Sequence, residues 1–294
     1  MIESILTLAF VTQVIRIAVP YVLAALCGSL TERAGVIDLA LEAKLTVGAF
    51  AAAVIGHATD SGTAGLVAGV AAGMLVAAVQ IGCAVWLEAD QVIVGIALNI
   101  LALAGTRFFM QVIYQEGANT PPAPAYGDAV LTNPIIVGAM LAAILVPLAV
   151  RHTRWGLRLR AVGDRPDALV AVGVSPRYVR LWAALIGGAL CGAGGAQLSL
   201  AVGGFSADMT SGRGYFAVAM VIIAGWRPAL AAACCVAVAI SHAIGIQMQL
   251  LHPTIAGHRI PTELAPLLPY LLTVVALVIF SGKTRKPPTS LGKL

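Results

Sequence analysis

Residues 62–87 read GTAGLVAGVAAGMLVAAVQIGCAVWL and contain no charged side chain. A membrane-spanning helix needs roughly 20 predominantly apolar residues, because it must cross a hydrocarbon core about 30 Å thick. Residues 91–114 form a second such stretch, in which Arg107 is the only charge. The sequence therefore predicts helices that cross a lipid bilayer, and it excludes a soluble globular domain.

The composition of the whole chain is also strongly apolar. Hydrophobic residues make up 60% of the 294 and charged residues 11%, whereas an ordinary soluble domain is about 25% charged. The mean hydropathy is +0.94. Nine spans of roughly 20 residues would use about 180 positions and leave only short connections. The composition predicts one all-α, multi-pass membrane domain over residues 1–294, with no separate soluble domain.

Apolar runs broken by charges, proline and glycine predict nine spans. They lie near residues 11–30, 39–58, 62–87, 91–114, 134–150, 179–203, 214–225, 228–250 and 265–281. The seventh is too short to cross alone, and residues 203–215 before it are rich in glycine and hydroxyl groups. Such a composition is typical of irregular backbone that lines a cavity. The glycines of residues 187–196 predict close helix packing.

Basic residues predict the orientation, because lysine and arginine in short loops stay on the cytoplasmic side. Seven arginines lie within residues 151–180, and four further basic residues lie within 283–293. Both segments are placed inside. Alternating the spans from there puts fourteen of the eighteen basic residues inside, Lys44 among them, and only Arg213 and Arg259 outside. The N-terminus is then outside and the C-terminus is cytoplasmic.

Signatures of catalysis are missing from the sequence. It has no HExxH, no GxSxG and no paired intramembrane aspartates, and its cysteines and histidines show no metal-ligand spacing. No catalytic residue, metal site or cofactor is predicted. Uncharged polar residues within the spans and the 203–215 segment indicate instead a path for a neutral, hydrogen-bonding solute, although for each one alone an interhelical hydrogen bond is the alternative. The predicted path residues are Asn99, Gln197, Ser206, Ser211 and His242.

Residues 151–178, RHTRWGLRLRAVGDRPDALVAVGVSPRY, interleave arginines with apolar residues. Internal glycines and prolines divide the segment, which predicts two short amphipathic helices with a turn between them. One interpretation is a pair of basic helices lying on anionic lipid. The other is a docking element for a cytoplasmic partner.

Four parts of the chain, in order, resemble the permease subunits of bacterial ABC importers of the branched-chain amino acid, ribose and nucleoside group. They are TERAGVIDLALEA (31–43) with VGAFAA (47–52), WGLRLRAVGDRPDAL (155–169) with GVSPRYVR (173–180), GGALCGAGGAQLSL (187–200) and GRGYFAVAMVIIAGWRP (212–228). The TERAG opening most resembles the nucleoside branch. Ala43 stands where the family usually has glycine, and Asp164-Arg165-Pro166 replaces a more usual Glu-Asn-Pro.

The resemblance implies a fold similar to the cobalamin-type (type II) importers, less their first helix, in the bacterial cytoplasmic (inner) membrane. It implies that residues 151–178 dock on a separate ATPase, and that the loop before residue 92 forms a cytoplasmic gate. The coupling residues so implied are Arg160, Gly163, Asp164, Arg165, Pro166 and Ala168. The gate residues are Glu88, Asp90 and Gln91.

The resemblance also implies the partners. They are a second and different permease, a cytoplasmic ABC ATPase, and a substrate-binding lipoprotein that docks on residues 115–133; no nucleic acid is expected. The chain itself would be a passive path for a small neutral solute such as a nucleoside, and not an enzyme. The alternative is a secondary transporter coupled to H⁺ or Na⁺, which usually shows a midplane carboxylate or a broken-helix ion site.

Overall fold

The computed structural model of the chain describes residues 8–126, 132–251, 254–255, 258–259, 267–281 and 287–293. These residues form eleven α-helices and one two-stranded antiparallel hairpin. The helices are α1 (Leu8–Arg33), α2 (Leu41–Thr59), α3 (Gly62–Ile81), α4 (Gln91–Tyr114), α5 (Pro134–His152), α6 (Arg154–Asp164), α7 (Pro166–Ala171), α8 (Pro176–Val202), α9 (Arg213–Ile223), α10 (Pro228–Leu251) and α11 (Leu268–Ser281). A π-helical turn, Gly82–Trp86, continues α3, and the hairpin pairs β1 (Thr254–Ile255) with β2 (His258–Arg259).

Within these described ranges, seven helices are long and apolar enough to cross a membrane. They are α1, α2, α3 with its π-helical turn, α4, α5, α8 and α10. The other two predicted spans correspond to shorter helices, because α9 has 11 residues and α11 has 14. Eleven residues rise only about 16 Å, so α9 is a half-helix. The all-α, polytopic membrane architecture is confirmed, whereas the count of nine spans is not.

Contacts between loops define the two ends of the helix bundle. At one end, Gly163 of α6 packs against the carbonyl of Arg33, the last residue of α1, and also accepts a 2.9 Å hydrogen bond from the Ser290 amide. We call this the basic end, because it carries α6, α7 and the tail, residues 287–293. At the opposite end, the Thr120 amide donates to the Phe205 carbonyl at 2.9 Å, which joins the loop after α4 to the loop after α8.

Helices α2, α3 and α8 pack backbone to backbone. A Cβ on Gly192 would lie 2.3 Å from the Gly69 carbonyl oxygen, and one on Gly73 would lie 2.4 Å from the Gly188 carbonyl oxygen. No side chain fits at these crossings, so the close approach depends on glycine. The close helix packing predicted for residues 187–196 is confirmed.

Between α1 and α2 the chain turns back into the bundle. The non-helical residues 36–40 lie along α4, where the Ile37 amide donates to Gln91 Oε1 at 2.7 Å and the Leu39 carbonyl accepts from Asn99 Nδ2 at 2.8 Å. Gln91 and Asn99 lie eight positions apart, which is about 12 Å along the helix axis. Helix α2 therefore begins inside the bundle rather than at its basic end.

Asp38 and Lys44 form an ion pair at this re-entrant start of α2. Lys44 Nζ lies 2.7 Å from both carboxylate oxygens, and both side chains are 0% exposed. Thr31 Oγ1 donates to the same carboxylate at 2.8 Å. The assignment of Lys44 to the basic residues of cytoplasmic loops is wrong, because its charge is buried and neutralised by Asp38.

We expect Lys44→Met to destabilise the fold by about 3–5 kcal/mol, because it leaves the Asp38 carboxylate buried without its cation. The double variant Asp38→Asn/Lys44→Met should recover most of the loss, since it removes both charges together. Thermal unfolding of the full chain in detergent, followed by tryptophan fluorescence, measures both effects. Arg158→Met, which removes an exposed charge, is the control. A Lys44→Met chain as stable as the control would contradict the importance of the pair.

Candidate functional site

The backbone between α8 and α9 is irregular and lies partly inside the bundle. Gly203 caps the end of α8 and Gly212 precedes α9, and both glycines have φ of +77°. The Glu42 carboxylate caps α9, because it accepts hydrogen bonds from the amides of Gly212 at 2.9 Å and Gly214 at 2.6 Å. Glu42 lies in the first turn of α2, which begins inside the bundle. Helix α9 therefore also begins in the interior.

Two cavities open around this break and share Ser211, Phe216 and Tyr270. The first has a volume of about 570 Å³ and lies between α9 and α11. Its lining residues are Asp208, Ser211, Gly212, Tyr215, Phe216, Ala219, Tyr270 and Thr273. The second, of about 270 Å³, extends to Tyr21 of α1 and His242 of α10. We call the two together the break cleft; its larger part has the size of an ordinary small-molecule site.

Two of the five predicted path residues line the break cleft. Ser211 is exposed and borders both cavities. His242 lines the second, and its Nδ1 lies 3.2 Å from the Tyr21 hydroxyl. Arg213 also lines the second cavity, with its guanidinium carbon 5.9 Å from the centroid of the Tyr21 ring. Arg213 is the first residue of α9 and lies beside α1 rather than in a loop, and its place on the outer side of the membrane stays a prediction.

The other three predicted path residues lie elsewhere. Asn99 is buried, and its amide accepts from the Ala43 amide at 2.9 Å and donates to the Leu39 carbonyl and to the Tyr215 hydroxyl at 3.2 Å. It therefore holds the start of α2 and one tyrosine of the break cleft.

Gln197 is 2% exposed, and neither its amide oxygen nor its amide nitrogen has a hydrogen-bond partner among the described residues. Ser206 forms a backbone bridge to Asn119 at the opposite end of the bundle. Direct contact with a solute stays a prediction for all five path residues.

The predicted gate residues lie together at the basic end. Glu88, Asp90 and Gln91 line a cavity of about 250 Å³ with Ile37 and Gly292. The Asp90 carboxylate caps α4 by accepting the amides of its first turn at 2.9 and 3.0 Å. Because Gln91 also accepts the Ile37 amide, this loop is tied to the re-entrant segment. Its function as a gate stays a prediction.

Two short helices, α6 and α7, occupy residues 151–178, as the sequence predicts. Their inner faces bury Leu159, Val162 and Leu169. Of the six predicted coupling residues, Asp164, Arg165 and Ala168 are exposed, Arg160 and Pro166 are half-buried and Gly163 is buried. A Cβ on Gly163 would lie 2.1 Å from the Arg33 carbonyl oxygen, so this glycine is needed for the contact with α1. Contact of all six with an ATPase stays a prediction.

The tail, residues 287–293, binds to the end of α6. Thr289 Oγ1 donates to the Asp164 carbonyl at 2.9 Å, and Ser290 Oγ donates to the Gly163 carbonyl at 2.7 Å. The Gly292 amide donates to the Gly35 carbonyl at 3.1 Å. The tail therefore joins α6 to the turn after α1.

Comparison with known proteins identifies the family of the chain. A profile of the family described as branched-chain amino acid transport system / permease component matches residues 10–277. The chain belongs to this permease family. The resemblance carried by the four sequence motifs is thereby confirmed, and the family is one of membrane permeases rather than of enzymes.

Curated relatives narrow the comparison. This permease is 29% identical, over 94% of its own chain and 93% of the relative, to the nucleoside ABC transporter permease protein NupC of Lactococcus lactis subsp. cremoris. It is also 29% identical to the guanosine ABC transporter permease protein NupQ of Bacillus subtilis, over 92% and 91%. A putative glucose ABC transporter permease protein, TsgC13 of Haloferax volcanii, is 34% identical over 73% and 70%. No solved structure matches the chain.

We expect Ser211→Cys to react with a small, charged methanethiosulfonate reagent and Thr210→Cys to remain unmodified. Ser211 opens into the break cleft, whereas Thr210 is 2% exposed and its hydroxyl lies 3.1 Å from that of Thr46. The reaction needs a hydrated thiolate, so it reports water in the cleft. Mass spectrometry of the labelled full chain measures it, with the parent chain as the control for native cysteines. Equal modification at both positions, or none at Ser211→Cys, would contradict an aqueous cleft.

Proposed function

We propose that this permease forms the membrane path of an ATP-driven importer for small neutral polar solutes, and that its solutes are nucleosides. The observation that carries the proposal is the half-helix α9, which begins inside the bundle and opens the break cleft beside α1, α10 and α11. Irregular backbone at membrane depth is tolerated where protein buries it or where it lines a cavity. The names of the relatives NupC and NupQ support nucleosides as the solute.

Energy would come from a separate ATPase, because the sequence has no ATP-binding motif. The exposed surface of α6 and α7 is the proposed docking site. A continuous set of contacts leads inward from it: the tail joins α6 to Gly35, residues 36–40 join Gln91 of the gate loop, and Glu42 holds the start of α9. A displacement of α6 would thus reach both the gate loop and the break cleft through backbone and carboxylate hydrogen bonds.

The surrounding complex follows from the same proposal. All nine apolar segments would belong to one domain of the type II importer fold, with the basic end in the cytoplasm of a bacterial cell and the N-terminus outside. A second, different permease would complete the path. A substrate-binding lipoprotein would dock at the opposite end, on residues 115–133, of which 127–131 lie outside the described residues.

A secondary transporter coupled to H⁺ or Na⁺ is the alternative, and it would need an interior carboxylate free to take a cation. Three carboxylates among the described residues are buried or half-buried: Asp38 is paired with Lys44, Glu42 caps α9, and Glu32 accepts a 2.6 Å hydrogen bond from the Trp226 indole. All three are engaged by donors of the chain itself, so the described residues offer no interior carboxylate left free to take a cation.

The proposed orientation predicts which side labels introduced cysteines. Ser175→Cys should react with an impermeant maleimide only from the cytoplasmic side, and Asn119→Cys only from outside. Both positions are exposed, and they lie at opposite ends of the bundle. Comparing right-side-out with inside-out vesicles measures the effect, and the parent chain supplies the background. Labelling of Ser175→Cys from outside would reverse the topology.

If the chain belongs to an ATP-driven nucleoside importer, vesicles that carry the assembled complex should take up radiolabelled nucleosides only when ATP is present. Arg165→Glu should abolish both uptake and transport-stimulated ATP hydrolysis, because charges at an interface steer and register the partner. It should leave membrane insertion intact, since Arg165 is exposed.

Arg227→Glu is the matched control, because it makes the same charge change on an exposed residue of the basic end outside 151–178. It should leave uptake and ATP hydrolysis near the parent values. Uptake that persists without ATP would favour the secondary transporter. Unchanged coupling in Arg165→Glu would favour the alternative in which α6 and α7 lie on lipid.

A further inference from the structure

The larger cavity of the break cleft is walled by aromatic rings. Tyr215 and Tyr270 are 53% and 54% exposed, so much of each ring is accessible, whereas Phe216 behind them is only 8% exposed. The Phe216 and Tyr270 ring centroids are 4.8 Å apart at an interplanar angle of 56°. The cavity thus presents two accessible tyrosine rings supported by a buried phenylalanine.

Fixed contacts hold these rings in place. The Tyr215 hydroxyl accepts a hydrogen bond from Asn99, whose amide is bound to the backbone of the re-entrant segment. Phe216 packs edge-on against Tyr21 at 6.2 Å between centroids, and the Tyr21 hydroxyl contacts His242. A stacking surface held by such contacts loses little side-chain freedom when a ligand binds, which favours binding.

Few polar groups are available in the same cavity. The Asp208 carboxylate is exposed, whereas the Ser211 and Thr273 hydroxyls already donate to the Asp208 carbonyl at 3.0 Å and the Pro269 carbonyl at 2.8 Å, so each of these hydroxyls can only accept from a ligand. The Tyr215 and Tyr270 hydroxyls are the other polar side-chain groups of the lining. A buried free hexose has more hydroxyl groups than these few side chains can satisfy, and each unsatisfied group opposes binding. The face of a nucleobase needs no hydrogen bond. A carboxylate beside a sugar is a common acceptor for ribose hydroxyls.

We propose that this cavity takes a nucleoside by stacking its planar base on Tyr270 or Tyr215, with Asp208 and Ser211 placed to bind the ribose. This proposal rests on the proposed function and deepens it, because it assigns selection for the base to the permease. Stacking on an aromatic side chain tolerates different bases, since every base has a π-face. It is also weak enough to let the solute move on.

Saturation-transfer difference NMR on the full chain in micelles tests the proposal, because it detects weak binding. The probes are adenosine, D-ribose and D-glucose, each tested separately. We expect saturation of the adenine protons and little saturation of either free sugar. Tyr270→Leu and Tyr215→Leu should each weaken adenosine binding, by about tenfold for the ring that stacks, as expected when a stacking ring is removed.

Tyr270→Phe keeps the ring and should weaken adenosine binding less than Tyr270→Leu does. Tyr178→Leu is the matched control, because Tyr178 is an exposed tyrosine of the basic end, away from the break cleft. Two leucine variants are tested because either one alone could misfold, and thermal unfolding of each shows whether it is folded.

Equal saturation of glucose and adenosine, or unchanged binding in both leucine variants, would overturn the proposal. Nucleoside uptake in vesicles is scored separately. Uptake without base saturation would refute the stacking site alone, whereas base saturation without ATP-dependent uptake would refute the importer function.

Discussion

The ion pair between Asp38 and Lys44 holds the part of the chain on which the other contacts converge. It closes the turn from the non-helical residues 36–40 into α2, where both side chains are fully buried and a lone charge would be costly. From this turn, hydrogen bonds extend to the start and middle of α4, to the α9 cap and to the tail. If the turn opened, the gate loop, the break cleft and the docking surface would all lose the same support.

A second constraint is steric rather than electrostatic. The glycines at the crossings of α2, α3 and α8 bring three helices together at backbone distance, and any side chain there would collide with a carbonyl oxygen. Helices α4 and α11, by contrast, leave most of their apolar side chains exposed. The molecule therefore combines a tightly packed half with a half whose apolar surface is left for lipid or a second subunit.

The sequence predicted those features of the fold that depend on the composition of a single stretch of the chain. Long apolar runs identified the helices, and the short apolar run after 203–215 identified the half-helix. The pairing of Lys44 was missed, because the turn back into the bundle depends on contacts with α4 that no local pattern reveals. The tyrosines of the break cleft were missed for a similar reason. Tyr215 and Tyr270 lie in apolar runs 55 positions apart, and only folding places them around one cavity.

The cap on α9 has a consequence for the electrical character of the interior. Half-helices in transporters often turn free amides toward an anionic substrate. Here Glu42 accepts the amides of Gly212 and Gly214, and the amides of the next two residues bind carbonyls of the same turn. Arg213 likewise donates its amide to the Thr210 carbonyl. The backbone amides at the start of α9 are thus all bound, and none of them is left for a phosphate.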